Sequence, residues 1–216
     1  MNYQLEHFLL FSAQTYDVII QAHAQLSLPI SVLILMTCLY GAWHLWRVGN
    51  ARWIAIALTI AWCWLSWHFY TITYSSINPW ALWGGGFGLL MITASIAAAV
   101  TDNTVWTHKQ RCHLLVGCLF TLIIFPALML LLPPLAWLGV GVIPLPTLML
   151  SLAFFHQLRF KGRVVLLMLL YLWLGLEGIT LYAMGNGIWQ VIPVVLVIYP
   201  LMMAKLPNAL PRHLLS

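Results

Sequence analysis

The sequence predicts an all-α integral membrane protein: a bundle of seven transmembrane helices with an amphipathic amino-terminal helix on its outer face. Three observations carry that reading. Of 216 residues, 63% are hydrophobic and only 6% charged, against about a quarter charged in soluble domains, and the mean hydropathy is +0.95. Apolar runs recur from residue 30 to residue 204 with short gaps, each near the roughly 20 residues that a hydrocarbon core of about 30 Å requires. The basic residues alternate between connections. Arg47 and Arg52 lie in the first, Lys109 and Arg111 in the third, Arg159, Lys161 and Arg163 in the fifth, and Lys205 and Arg212 in the tail.

The seven spans fall at 30–48, 53–74, 79–100, 113–132, 138–157, 163–183 and 188–204. All nine Lys and Arg therefore sit on one side, and the positive-inside rule makes that side cytoplasmic, with the amino terminus outside. An even number of spans would mix the two sets, so the charge pattern itself argues for seven. One membrane domain is expected over 1–216, with an interfacial segment at 1–28, spans over 29–204 and a cytoplasmic tail at 205–216. No basic n-region or small-residue cleavage site marks a removable signal peptide, so the amino terminus is expected to be retained.

Ahead of the first span, Ser12 reads as an N-cap, and Tyr16, Ile19, Ile20 and His23 recur at helical spacing, with Gln14, Asp17, Gln21 and Gln25 elsewhere on the turn. That pattern predicts a short helix on the outer interface or over the bundle mouth, ended by Pro29. Asn78 followed by Pro79 caps the third span, and "MGNG" at 184–187 makes a tight turn. Tryptophans and tyrosines near span ends, including Trp43, Trp46, Trp53, Tyr74, Trp80, Trp137, Tyr182 and Trp189, suit interfacial belts.

Several function classes are excluded or weakened. A net charge of +5 spread in pairs between apolar runs makes no nucleic-acid face. Cys38, Cys63, Cys112 and Cys118 show no CxxC spacing and read as small apolar side chains. There is no HExxH, no Cys/His cluster and no pair of histidines at one depth on adjacent spans, so neither a metal nor any other cofactor is expected. No G-x-S-x-G supports hydrolysis and no phosphate loop supports ATP-driven transport, so no catalytic residue is assigned. Lys205 lies at the end of the seventh span, away from where a retinal linkage belongs.

Three stretches carry a resemblance. "LEHFLLFSAQTY" at 5–16, "WHFYTITYSSINPWA" at 67–81 and "PLPT" at 144–147 together resemble an uncharacterised family of small bacterial multi-spanning inner-membrane proteins. The position between the two prolines, often cysteine in that family, is Leu145 here. The resemblance implies a membrane fold and a bacterial cytoplasmic membrane, and no activity.

Depth then singles out the candidate site. At 1.5 Å per residue, His68 lies about 22 Å and Glu177 about 21 Å from the cytoplasmic border. Glu177 is the only acidic residue within a span, where a charge costs about 2.5–3.5 kcal/mol, so it should face inward. Gly84, Gly85, Gly86 and Gly88, Pro144 and Pro146 with Thr147, and Pro193 fall in the same outer half, where close helix approach and interrupted helices suggest an outward-facing pocket. Trp64, Trp67, His68, Thr71 and Ser75 form one α-helical face that could line it, and Asn78 is counted with them as a candidate binding residue. Glu177 is expected as a neutral carboxyl, as an ion pair with His68, or as a proton or cation site.

The reading that results is a small permease or channel-like protein whose pocket takes a small solute or ion. Alternatives are a non-catalytic subunit or sensor using the glycine and aromatic stripe as a seam with a membrane partner or a second copy, and an enzyme acting on a lipid or quinone. The bilayer is the expected partner; nucleic acid is not.

Overall fold

A computed structural model describes residues 13–101, 106–124, 140–158 and 160–183, and every regular element among them is helical. The seventh span, Pro193, the "MGNG" turn, the tail, Ser12 and the end of the fourth span lie outside the described residues. Four helices are long and apolar enough to cross a membrane: Gln14–Val48, Arg52–Ser76, Ala81–Thr101 and Arg163–Ala183. Their outward sides carry large apolar groups, among them Leu26, Met36, Trp67, Trp83, Leu89, Val164 and Met168, as a lipid-facing surface requires.

The first helix, α1, runs unbroken over Ala13–Val48 with Pro29 inside it. This corrects the expectation of a short surface helix stopped at Pro29. Tyr16, Ile20, His23 and Ser27 are buried before the proline and Ile34, Cys38, Gly41 and Leu45 after it, and the two sets stay in phase at about 100° per residue. One continuous packing stripe outweighs one missing hydrogen bond. The loss is further offset where the Ser31 hydroxyl donates to the Ser27 carbonyl at 2.8 Å, as membrane helices commonly arrange around proline.

Gly49, at φ 81, ends α1 by returning its N–H to the Leu45 carbonyl at 3.0 Å. The Asn50 side chain then accepts from the Arg52 N–H at 2.8 Å, starting α2, Arg52–Trp64. The two helices pack closely where Gly41 meets Ile54. Without breaking, α2 widens into a π-helical segment, Leu65–Thr73, and closes with a 3-10 turn at Tyr74–Ser76. Antiparallel to it runs α3, Ala81–Thr101.

The fourth helix, α4, spans His108–Leu119 behind a capping box in which Thr107 and Gln110 satisfy each other's backbone, and it continues as a π turn, Phe120–Ile124. The return helix, α5, covers only Pro144–Phe155, twelve residues, so the expected full span at 138–157 is corrected to one too short to cross alone. Its start is deep: Gly141, at φ 83, packs against Ile34 and Ala61, and Ala61 lies nine residues, about 14 Å, from the Arg52 end of α2. Every residue of α5 is buried. The last described helix, α6, is Arg163–Ala183 and packs on α5.

Hydrogen bonds gather the basic connections at one end. The Trp106 N–H reaches the Gly49 carbonyl at 2.7 Å, Arg111 donates to the Trp46 carbonyl at 3.4 Å, and the Gln110 amide donates to the Gln157 carbonyl at 3.0 Å. α4 leaves this end and α5 comes back to it.

Candidate functional site

The site is shaped by the π-helical segment. Thr71 Oγ1 donates to the Ser66 carbonyl and Thr73 Oγ1 to the His68 carbonyl, each at 2.8 Å and each five residues back, and the Tyr74 N–H reaches the Phe69 carbonyl. With more residues to the turn, each side chain advances by a smaller angle than in an α-helix, so positions that share an α-helical face drift apart. It splits the single face that α-helical spacing predicts for Trp64, Trp67, His68, Thr71 and Ser75. Trp64 and His68 face α1, stacked at 4.5 Å and 6°. Thr71 turns to α3, where its hydroxyl lies beside Gly85. Trp67 is 65% exposed and points away from both.

Facing α1, His68 meets a partner that sequence reasoning assigned to a peripheral helix. Nδ1 of His23 and Nδ1 of His68 are 2.8 Å apart, so the two rings share a proton in an N–H···N bond. Trp64 Nε1 donates to the Ser27 hydroxyl at 2.8 Å, and that hydroxyl lies 3.2 Å from Nε2 of His23. Two histidines therefore do meet at one level on neighbouring helices, correcting the expectation that none do. His23 is 1% exposed and His68 half-buried, with the Thr73 hydroxyl 3.5 Å from its Nδ1. The signal that points to His23 is the unbroken stripe through Tyr16, Ile20 and Ser27, legible once Pro29 is allowed inside the helix.

The surroundings accept either tautomer of His23. With its proton on Nδ1, the ring donates to His68 and receives the Ser27 hydroxyl at Nε2. With its proton on Nε2, it donates to Ser27 and receives His68 at Nδ1. A doubly protonated His23 finds acceptors on both sides. The arrangement can hold, lose or pass a proton without leaving a buried nitrogen unpaired.

On the opposite side of the same segment, Tyr70 donates to Oε1 of Glu177 at 2.8 Å and accepts from Trp173 Nε1 at 3.0 Å. Glu177 on α6 thus stands level with the residue two beyond His68, and it is bonded to the Tyr70 phenol rather than to the imidazole. Tyr70 is held by close packing: a Cβ at Gly84 would fall on its ring, and Gly88 and Gly85 are pressed against Ser66, whose hydroxyl donates to the Gly85 carbonyl at 2.7 Å. Phe87 stacks on Trp173 at 4.7 Å and 3° and meets Trp62 edge-on. Phe69, between the two faces, touches His23, Tyr70 and Tyr74. Tyr74, expected in an interfacial belt, is buried against Tyr16 and Phe69 instead.

Pro144, Pro146 and Thr147 do a different job. Ile143 is the N-cap and Pro144 the first residue of a helix whose start is buried, where the first four N–H groups lack helical partners. Two of those four positions are proline and have no N–H to satisfy. Thr147 Oγ1 accepts from the Gly141 N–H at 2.8 Å, Ser151 donates to the Thr147 carbonyl at 2.7 Å, and Trp62 Nε1 donates to Ser151 at 2.9 Å. The motif lets a helix begin inside the bundle. Asn78 accepts from the Trp80 N–H at 3.1 Å and donates to Tyr74 at 3.4 Å, shaping the turn into α3.

Compared with protein-family models, curated proteins and solved structures, the chain matches none.

Proposed function

We propose that this chain is a small permease or channel-like protein of a bacterial cytoplasmic membrane, in which the His23 and His68 pair takes up and releases a proton as a small solute or ion moves. The observation that carries the reading is the 2.8 Å contact between the two Nδ1 atoms inside a hydrogen-bonded frame that suits every protonation state of His23. Ionisable groups within membrane helices are expensive and mark proton or ion paths more often than they serve packing. Glu177 with Tyr70 supplies a second exchangeable site at the same level.

Seven passages with the amino terminus outside and the tail inside remain our reading of the topology. The joining of connections one, three and five at a single basic end supports it. The short α5 does not disturb the sidedness, because α4 departs from that end and α5 returns to it. The resemblance to small bacterial inner-membrane proteins at 5–16, 67–81 and 144–147 supports the location. The reading as a passive subunit rested on the glycine seam, and Gly84, Gly85 and Gly88 are covered by this chain's own Tyr70, Thr71 and Ser66.

The test is proton flux into vesicles containing the purified chain and a trapped pH dye, under an imposed membrane potential. His23→Phe and His68→Phe each lower the flux at least tenfold, and His44→Gln, at the basic end, leaves it unchanged. Equal flux in wild type and in the doubly substituted His23→Phe/His68→Phe protein rules the proposal out.

A further inference from the structure

A second constellation lies at the basic end, remote from the histidine pair. A cleft of about 260 Å³ opens between the starts of α4 and α6 and the end of α5, and Lys109, His113, His156 and Arg163 line it. Thr107 and the amides of Gln110 and Gln157 complete its wall, tied by the Gln110 to Gln157 bond already described. None of the described residues lining it is acidic. Lys109 and Arg163 thus line one cleft with no carboxylate among its described walls, and Arg163 is held there by donating to the Leu158 carbonyl at 3.3 Å.

Two of the three helix ends that meet here are N-termini, whose partial positive charge and outward N–H groups favour anions. A separate observation concerns a buried polar atom of the same wall. His113 is 3% exposed, and its Nε2 has no hydrogen-bond partner among the described residues. A buried polar atom left unpaired costs about 1–3 kcal/mol, and native interiors rarely keep one without a reason. An oxyanion in the cleft brings a counter-charge for Lys109 and Arg163 beside His113 and His156, which line the same cleft.

We infer that this cleft binds a phosphate group, carried by a soluble phosphate or by the headgroup of an anionic lipid. The site is small, open at the basic end of the bundle and walled by donors. Basic pockets between membrane helices on the cytoplasmic side recognise phosphate headgroups in this way.

The purified full-length protein in neutral detergent is titrated calorimetrically with inorganic phosphate, with phosphatidic acid and with phosphatidylcholine, whose phosphate is masked by choline. Saturable binding of inorganic phosphate assigns the site to a soluble anion. Binding of phosphatidic acid alone assigns it to a headgroup, and binding of both to the shared group. Binding of neither, or of phosphatidylcholine as well as phosphatidic acid, overturns the inference. Lys109→Gln and Arg163→Gln each weaken binding at least tenfold, whereas Lys161→Gln, which removes the same charge from the same connection outside the cleft, leaves it unchanged. An equal loss with Lys161→Gln shows diffuse surface attraction and also overturns it. Lys109 is exposed, so its truncation reads binding even where Arg163→Gln fails to fold.

Discussion

On its α1 side the π-helical segment presents His68, half-buried, stacked on Trp64 and bonded to His23. On its α3 and α6 side it presents Tyr70, buried, seated against Gly84 and bonded to Glu177. The first face is built from hydrogen bonds between side chains that each have an alternative partner. The second is built from close packing around one fixed donor. Residues 68 and 70 lie on nearly opposite sides of any helix, about 160° apart at 100° per residue; what the wider turn changes is Thr71, which leaves the Trp64 and His68 stripe for α3. The imidazoles and the carboxyl thus have separate partners on two faces of one segment.

The largest expected effect tests the packed face. Gly84→Ala drives a methyl group onto the Tyr70 ring and lowers stability by about 2 kcal/mol, the usual range for overpacking a filled interior. Gly86, two residues on, meets nothing within 4 Å, so Gly86→Ala gains helix propensity of up to about 1 kcal/mol. Thermal unfolding in detergent separates the two variants by several degrees in opposite directions. If Gly84→Ala melts with Gly86→Ala, the glycines do not grip the segment as described.

The next effect separates the faces. Tyr70→Phe leaves Oε1 of Glu177 and Trp173 Nε1 without their partner, at a cost of about 1–3 kcal/mol. A cycle of Tyr70→Phe with Glu177→Gln therefore shows coupling, as does one of His23→Phe with His68→Phe, each in the range of about 0.5–3 kcal/mol for contacting polar groups. The cycle joining His68→Phe to Glu177→Gln couples by less than about 0.5 kcal/mol. Coupling there as large as within either pair breaks the division into two faces.

Much of this was legible in the sequence, and the rest was hidden for identifiable reasons. Membrane character and the gathering of basic connections follow from hydropathy and charge placement, which depend on residue type alone, and the choice of His68 and Glu177 as candidates follows from depth. The partners of those two residues do not. Grouping His68 with Glu177 rested on depth, which does not say which way a side chain faces, and the single stripe from Trp64 to Ser75 assumed α-helical periodicity through residues 65–73, where nothing local in "LSWHFYTIT" announces a π turn; hydroxyls reach five residues back there, and Tyr70 seats against Gly84. The Pro-Leu-Pro-Thr element suggested a disrupted pocket wall, because sequence shows that proline removes donors but not that a buried helix start needs fewer of them. His23 was within reach. Its stripe continues in phase beyond Pro29, and weighting that continuity above the proline gives one helix and places His23 on the packed face.

The smallest expected effect decides whether Pro29 sets the geometry of the histidine face or only tolerates it. Pro29 is exposed and lies between Ser27 and Ser31, two residues beyond the hydroxyl that supports His23. A proline in the middle of a soluble helix costs about 3 kcal/mol, yet α1 continues through this one with its packing stripe in phase on either side. Pro29→Ala returns an N–H to the Gln25 carbonyl and is expected to stabilise the protein by about 1 kcal/mol, one net hydrogen bond. If the histidine face is set by packing of Tyr16, Ile20 and Ser27, the His23→Phe/His68→Phe coupling measured in the Pro29→Ala background is unchanged. If the coupling vanishes there while stability rises, the proline aims His23 at His68, and the two faces differ in a further respect: the carboxyl is held by glycines on the neighbouring helix, the imidazole by a bend in its own.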